Sequence, residues 1–465
     1  MKVKMRNAAA TLSALGLCAL SGTAMATNGY FTHGVGTESK GMAGSGVGSD
    51  AVNGPIMGAS NPALAVFGSD GWEAGLSLFS PMRSYTAGPS LAQGQGGAFT
   101  VGEGSIDSSS EWFPIPYVAK NFRLSSGNVI NFAFYGRGGM NTDWDDSNAS
   151  ATSLACDPLG ATVVTGPGPY CSGPAGVDLS QAFIALNFAG KANENFSWGV
   201  GPVFALQMFE ATGVASFTPF TKTFAEAFIT TGLPAPAENL TDNGHDMSTG
   251  WGFAGGIWWG LSDSFSVGLA YQSKMSMSEF KDYSDLFAEA GGFDIPASTK
   301  LGFSFKGMNN VRVNFDIEHT EFGDVASIAN PMSNIAGCPT AGLGGTDLET
   351  CLGGSNGTGF GWDDMTTIKL GLEWTHNDTT TYRFGYSYGE QPINGDDVLF
   401  NVLAPGVMEQ HFTFGMTRAR SNGSAWNMSL MYAPKNSVTG TNLFDPTQRI
   451  EIEMSQFELE VSYLW

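Results

Sequence analysis

Histidines, carboxylates and paired cysteines are the residues in this chain whose types could do chemistry. His33, His245, His319, His376 and His411 titrate nearest neutral pH and are the first candidates for proton transfer. None adjoins a recognisable nucleophile motif, and the His-Glu-x-x-His pair of a zinc hydrolase does not occur. Glu318-His319 is only a dipeptide on an alternating segment, and Asp143-Trp144-Asp145-Asp146 reads as a solvated loop before it reads as a cation site. No glycine run has the strand-loop-helix context of a phosphate cradle. Cys156 and Cys171 share one polar, Pro/Gly-rich stretch, and Cys338 and Cys351 share another. Their spacing fits no zinc motif; in an exported chain it reads as two loop-closing disulfides. An enzyme, a bound metal and a cofactor are therefore not expected.

The ends and the totals say what must position the remaining residues. Lys2, Lys4 and Arg6, an apolar run from Ala8 to Leu20, and Ala24-Met25-Ala26 make residues 1–26 a secretory signal peptide. The chain carries 21 Lys+Arg against 43 Asp+Glu, which excludes a nucleic-acid partner that needs a basic face. The charged share is 14%, against the usual ~25%. After the signal, no apolar run reaches the ~18 residues a membrane helix needs. A glycine-rich, charge-poor chain without such a helix is an unusual soluble β-protein or a membrane barrel.

Period-two alternation favours the barrel. Phe265, Val267, Leu269 and Tyr271 alternate with Ser266, Gly268, Ala270 and Gln272; Ile368, Leu370, Leu372 and Trp374 alternate with Lys369, Gly371 and Glu373. Short turns are expected near 124–128, 191–195, 261–264, 306–310, 376–379 and 420–423. Long loops are expected near 86–111, 138–176, 211–247, 277–294, 323–363, 390–406 and 434–449. Alternating short and long connections between about fourteen strands are the pattern of an outer-membrane barrel. The fold class is thus an all-β membrane protein, a transmembrane antiparallel β-barrel over 69–465. A β-sandwich would not require the loops to alternate in length. Phe457, Leu459, Val461, Tyr463 and Trp465 resemble the C-terminal signal read by the barrel-assembly machinery.

A barrel of about fourteen strands is too wide for its own side chains to fill. Residues 27–68, poor in side chains and ahead of the first strand, are expected to plug it. Gly34-Val-Gly-Thr-Glu-Ser-Lys-Gly-Met-Ala-Gly-Ser-Gly-Val-Gly48, followed by Asn61-Pro62-Ala63, resembles the N-terminal hatch of the FadL-like outer-membrane transporters. The resemblance implies passive transport of long-chain fatty acids or other hydrophobic molecules. It also implies a hatch gate at Asn61, Pro62 and Ala63 beside a kinked third strand that opens the wall toward outer-membrane lipid. Gly136, Gly138 and Gly139 are the candidate kink; alternatively they only begin the following loop.

Two loops carry apolar residues at helical spacing: Phe217, Phe220, Phe224 and Phe228, then Tyr283, Leu286, Phe287 and Ala290. The resemblance makes them a capture groove; a plain cap over the barrel mouth is the other reading. Arg312, Lys369 and Arg383 fall on lumen-facing registers with Asp316, Glu318, Glu373, Glu458 and Glu460. They either hold the headgroup of a carboxylate cargo or pair across the lumen. A structural or adhesive barrel with a static plug is the alternative function.

Overall fold

The computed structural model describes residues 28–157, 162–308 and 310–465; the signal-peptide assignment lies outside them. Among the described residues, fourteen long strands close on themselves. They are β1 (Trp72–Ala87), β2 (Phe113–Arg123), β3 (Val129–Trp144), β4 (Ala175–Asn193), β5 (Phe196–Thr212), β6 (Asp246–Ser262) and β7 (Phe265–Gln272). Then follow β8 (Ser298–Lys306), β9 (Val311–Thr320), β10 (Met365–Asn377), β11 (Thr380–Gly389), β12 (Gln410–Ala419), β13 (Ala425–Asn442) and β14 (Asp445–Leu464). Every neighbouring pair is antiparallel, and the β1–β14 ladder completes the ring.

The closed ring leaves no continuous sheet edge in the bilayer, where unpaired backbone groups would find no water. Alternation sets the two faces. On β10, Ile368, Leu370 and Trp374 are exposed, while Lys369 and Glu373 are buried inside. Closure ends at the last residue, where the Trp72 and Trp465 backbones exchange hydrogen bonds of 2.8 and 2.9 Å.

All six expected short turns join strands at one rim. At the other rim one expectation needs correction. Residues 434–449 are not a long loop; β13 and β14 run on as a tall hairpin with a two-residue turn. Polar alternation above the membrane resembles a loop in composition. Ile450 and Ile452 nevertheless bury fully against the cap formed by the other loops. Both expected disulfides form, Cys156–Cys171 and Cys338–Cys351, with Cα atoms 5.2 and 4.8 Å apart.

Residues 28–67 lie within the ring and are almost wholly buried. Their scarcity of side chains has a steric reason. A Cβ on Gly268 would lie 2.1 Å from the Val47 carbonyl oxygen, and one on Gly48 would lie 2.5 Å from that of Gly302. Backbone packs directly on backbone there, so glycine is needed on both sides of the contact.

Candidate functional site

The wall charges hold this inner segment. Lys40 pairs with Glu458 and, at 2.6 Å, with Glu460. Asp316 Oδ2 accepts the Gly46 and Val47 amides at 2.8 and 2.9 Å. The three cations expected on lumen registers are there, each with a carboxylate. Arg312 meets Asp50 at 2.8 Å, Lys369 meets Glu318 at 2.6 Å, and Arg383 meets Glu373 at 2.8 Å and Glu38 at 3.4 Å. Two of these carboxylates, Asp50 and Glu38, belong to the inner segment, and the other two to the wall.

Asn61 Nδ2 donates to the carbonyls of Val47 and Ile257 at 3.0 and 3.2 Å, and its Oδ1 caps the 3₁₀ turn Pro62–Val66 through Ala63 N. Ser197 Oγ donates to the Ala63 carbonyl at 3.1 Å. Asn61-Pro62-Ala63 is therefore hydrogen-bonded at β5 and β6, while the turn that follows it also packs on Val129 of the third strand. Pro62 shares only a small cavity with Arg137 of β3.

What meets the glycines of the third strand is further upstream. Thr32 N donates to the Arg137 carbonyl at 2.8 Å, and Gly139 N to the Tyr30 carbonyl at 3.0 Å. At this point β3 bulges: its register to β4 slips between Gly136 and Gly138, leaving Arg137 as the extra residue. The glycines thus lie inside the strand and flank a bulge; the following loop starts only after Trp144. Arg137 turns inward, with Gln272 at 2.7 Å, Ser298 at 3.0 Å and the Phe31 ring 4.3 Å from its guanidinium carbon.

Beyond the bulge the β2–β3 ladder is interrupted. The β2–β3 ladder stops at Tyr117 and Tyr135, while β2 stays paired to β1 as far as Phe113. Residues 113–116 therefore face Gly136–Asn141 without ladder bonds. The strands rejoin only where Ser109 N donates to the Asp143 carbonyl at 2.9 Å. Pro114 and Pro116 lie on this stretch of β2, and neither has an N–H to offer a neighbour. Sequence reading missed the pair; proline inside a strand confines that strand to an edge, and this was the available signal.

Above the bulge, buried aromatic rings pack in a connected series. Phe31 contacts Tyr30 at 4.6 Å, Tyr30 contacts Phe293 at 6.2 Å, Phe293 contacts Phe287 at 4.9 Å and Phe287 contacts Phe209 at 4.6 Å. The series ends beside a cavity of about 30 Å³ beneath the loops, lined by Phe209, Phe217, Leu286, Phe287, Phe360 and Phe400 among others. The loop residues divide accordingly. Phe217, Tyr283 and Phe287 are buried, and Leu286 faces the cavity. Phe220 is half-buried against Phe444, and Phe224 stacks on exposed Phe228 at 6.1 Å.

Neither stripe is a single helix. Thr221 is extended and caps Lys222–Thr231, which splits the first. Glu289 and Ala290 are left-handed, which ends the second.

Asp397 sits under the same cap. Its Oδ1 accepts the Met332 amide at 2.6 Å. Burial raises its pKa from 3.8 to about 6, the Met332 amide opposes the rise, and the charges of Asp396 and Asp363 add to it. A raised folded pKa means stability is fully present below the unfolded value and is lost as pH climbs through the folded one. The cap should therefore exchange amide hydrogen faster at pH 7.5 than at pH 4.5 after correction for intrinsic rates, and Asp397→Asn should flatten the difference. Equal dependence in both proteins would assign the effect to another group.

Gly-x-Ser-x-Gly occurs twice, at Gly353–Gly357 and Gly385–Gly389. Neither forms the strand-to-helix elbow the nucleophile needs. Ser387 does lie 3.0 Å from His411 Nδ1, but in mid-strand, both fully buried beneath the inner segment. Among the described residues no cluster of His, Cys, Asp and Glu could hold a metal ion.

The geometry is thus a closed barrel with residues 28–67 packed inside it and ladder bonds missing between β2 and β3 beside the bulge. A profile described as outer membrane protein transport protein (OMPP1/FadL/TodX) matches residues 170–417. The chain belongs to this family. Accordingly it is an outer-membrane transport protein. Solved structures agree on the fold. The P. putida toluene transporter TodX is 17% identical, covering 93% of this chain and 98% of that one, with a TM-score of 0.60. A Pseudomonas aeruginosa FadL homologue is 14% identical over 94% and 99%, with a TM-score of 0.59. The Ralstonia pickettii toluene transporter TbuX is 13% identical over 92% and 98%, with a TM-score of 0.54. No curated protein matches in sequence.

Proposed function

We propose that this FadL/TodX-family barrel lets hydrophobic small molecules cross the outer membrane passively and releases them sideways into its lipid. Residues 28–68 act as the hatch, the loop cap captures cargo, and the aromatic path leads to the gap between β2 and β3. One observation carries this reading: the ladder between those strands is missing where the path arrives. A hydrophobic molecule gains about 0.8 kcal/mol per CH₂ on leaving water, so a lateral exit needs no energy source. Solved relatives include the toluene transporters TodX and TbuX and the monoaromatic hydrocarbon channel CymD, which supports a non-enzymatic role.

Neutral hydrocarbons suit the site better than carboxylic acids. The cavity lining offers only Ser327 and Thr358 as polar side chains, and Arg312, Lys369 and Arg383 already have carboxylate partners. Cells making the protein should take up radiolabelled toluene faster than cells without it, and a long-chain fatty acid should compete weakly. Uptake equal to that of cells lacking the protein would leave a static surface barrel as the reading.

Capture should depend on the buried rings. Phe287 touches both Phe209 and Phe293, so Phe287→Ala removes the ring joining cavity and path. Aromatic contacts are worth about 0.5–1.5 kcal/mol beyond area, so Kd for toluene should rise by about tenfold in calorimetric titration of the detergent-solubilised protein. Phe228→Ala, on the exposed helix face, should change that Kd little. The reverse order would place capture on the helix.

A further inference from the structure

Arg83 lies on β1, one strand away from the parted wall, and is buried. Its side chain reaches past β2. Nη1 donates to the carbonyl of Asn141 on β3, and Nη2 to the carbonyl of Ser110 in the segment entering β2. Its guanidinium carbon stands 5.6 Å from the centre of the Phe113 ring, at the edge of the gap. One fork of donors therefore joins the two margins at the upper end of the stretch where backbone bonds are missing. Nε has no hydrogen-bond partner.

A ladder bond can break only when backbone moves, whereas a guanidinium can swing away by side-chain rotation alone. Room for that movement is adjacent. A cavity of about 240 Å³ is lined by Ser110 and Asn141, which bind Arg83, and by the carboxylates of Asp143, Asp178 and Glu210. His245 bridges Asp178 and Glu210 at 3.0 and 2.9 Å. A guanidinium leaving the two carbonyls would meet carboxylates, which bind it at least as well. The exchange therefore costs little, as a reversible closure requires.

We propose that Arg83 is the latch of the wall opening: a removable cross-tie whose release widens the gap and so sets the size of molecule that leaves. This rests on the lateral-release reading. Arg83 acts here by positioning the margins, not by binding cargo.

The test measures uptake of radiolabelled toluene and of the larger biphenyl by cells making wild type, Arg83→Met, Arg83→Lys or a chain lacking Arg137. Heat-modifiable gel mobility reports barrel folding. Arg83→Met should raise the biphenyl-to-toluene uptake ratio by about tenfold, the shift that losing a charge-assisted hydrogen bond allows. Arg83→Lys, which can tie one carbonyl but not fork to two, should raise it less. A merely structural Arg83 would lower folded barrel for both cargoes and leave the ratio alone.

An unchanged or lowered ratio in folded Arg83→Met, with uptake still lost on removal of Arg137, overturns the latch and leaves the lateral route standing. Uptake unaffected by removal of Arg137 overturns the route and the latch together. If Arg83→Met does not insert, Arg83→Lys decides, and a wild-type ratio there overturns the latch.

Discussion

Deletion of Arg137 is expected to reduce hydrophobic uptake to the level of cells without the protein, while a folded barrel still reaches the membrane. Before the bulge the inward residues of β3 are Val129, Asn131, Ala133 and Tyr135; after it they are Met140, Thr142 and Trp144. The extra residue changes the parity. Its removal restores strict alternation without sending any of those side chains to the other face, so β3 can run straight and the edge facing β2 can close. The deletion also removes the Arg137 contacts to Gln272, Ser298 and Glu318. Arg137→Ala is the control, since it deletes the guanidinium but keeps the bulge. Uptake retained in Arg137→Ala and lost in the deletion assigns the effect to the wall. Uptake retained in both would mean cargo leaves by another route.

Arg383→Met is expected to unseat the inner segment. Arg383 is 1% exposed in its side chain and serves Glu38 of that segment, Glu373 of β10 and the Thr417 hydroxyl of β12. Methionine keeps much of the length but leaves two buried carboxylates without their cation. Breaking a buried pair on one side costs about 3–5 kcal/mol, because the orphaned charge stays out of water. Two outcomes should follow together: a lower thermal midpoint, and conductance steps in planar bilayers where wild type is closed. Adding Glu38→Gln should recover part of the midpoint, since one of the orphaned charges is then gone. A variant as stable and as closed as wild type would mean that backbone packing, such as that of Gly48 on Gly302, holds the segment without the ion pairs.

Much of this architecture was legible before any coordinates. Alternation along the strands named the lipid and lumen faces, and the short turns fell where polar breaks interrupted it. Glycine content singled out the segment that fits inside. The errors have a common origin. Residues 434–449 alternate in polarity above the bilayer, where composition no longer separates strand from loop. The phenylalanines from Phe217 to Phe228 keep a helical period, yet extended Thr221 divides them, and one part faces the cavity while the other faces solvent. Which carbonyls the Asn61 side chain meets, Val47 of the inner segment and Ile257 of β6, was not legible in the sequence. The proline pair at 114 and 116 was readable and went unread.

The sequence by itself determined a closed, lipid-facing wall around a polar lumen, because a period of two and the solvent on each side leave a strand little choice of face. It also determined that something small-chained must fill that lumen. Only the tertiary structure decided which residues meet across it: Tyr30 and Thr32 on the bulge, Arg83 reaching Asn141, and Arg383 between Glu38 and Glu373. Apart from the hairpin pair Arg383–Glu373, these contacts join positions from about sixty to several hundred residues apart. They depend on strand register and barrel closure, which local sequence pattern does not encode.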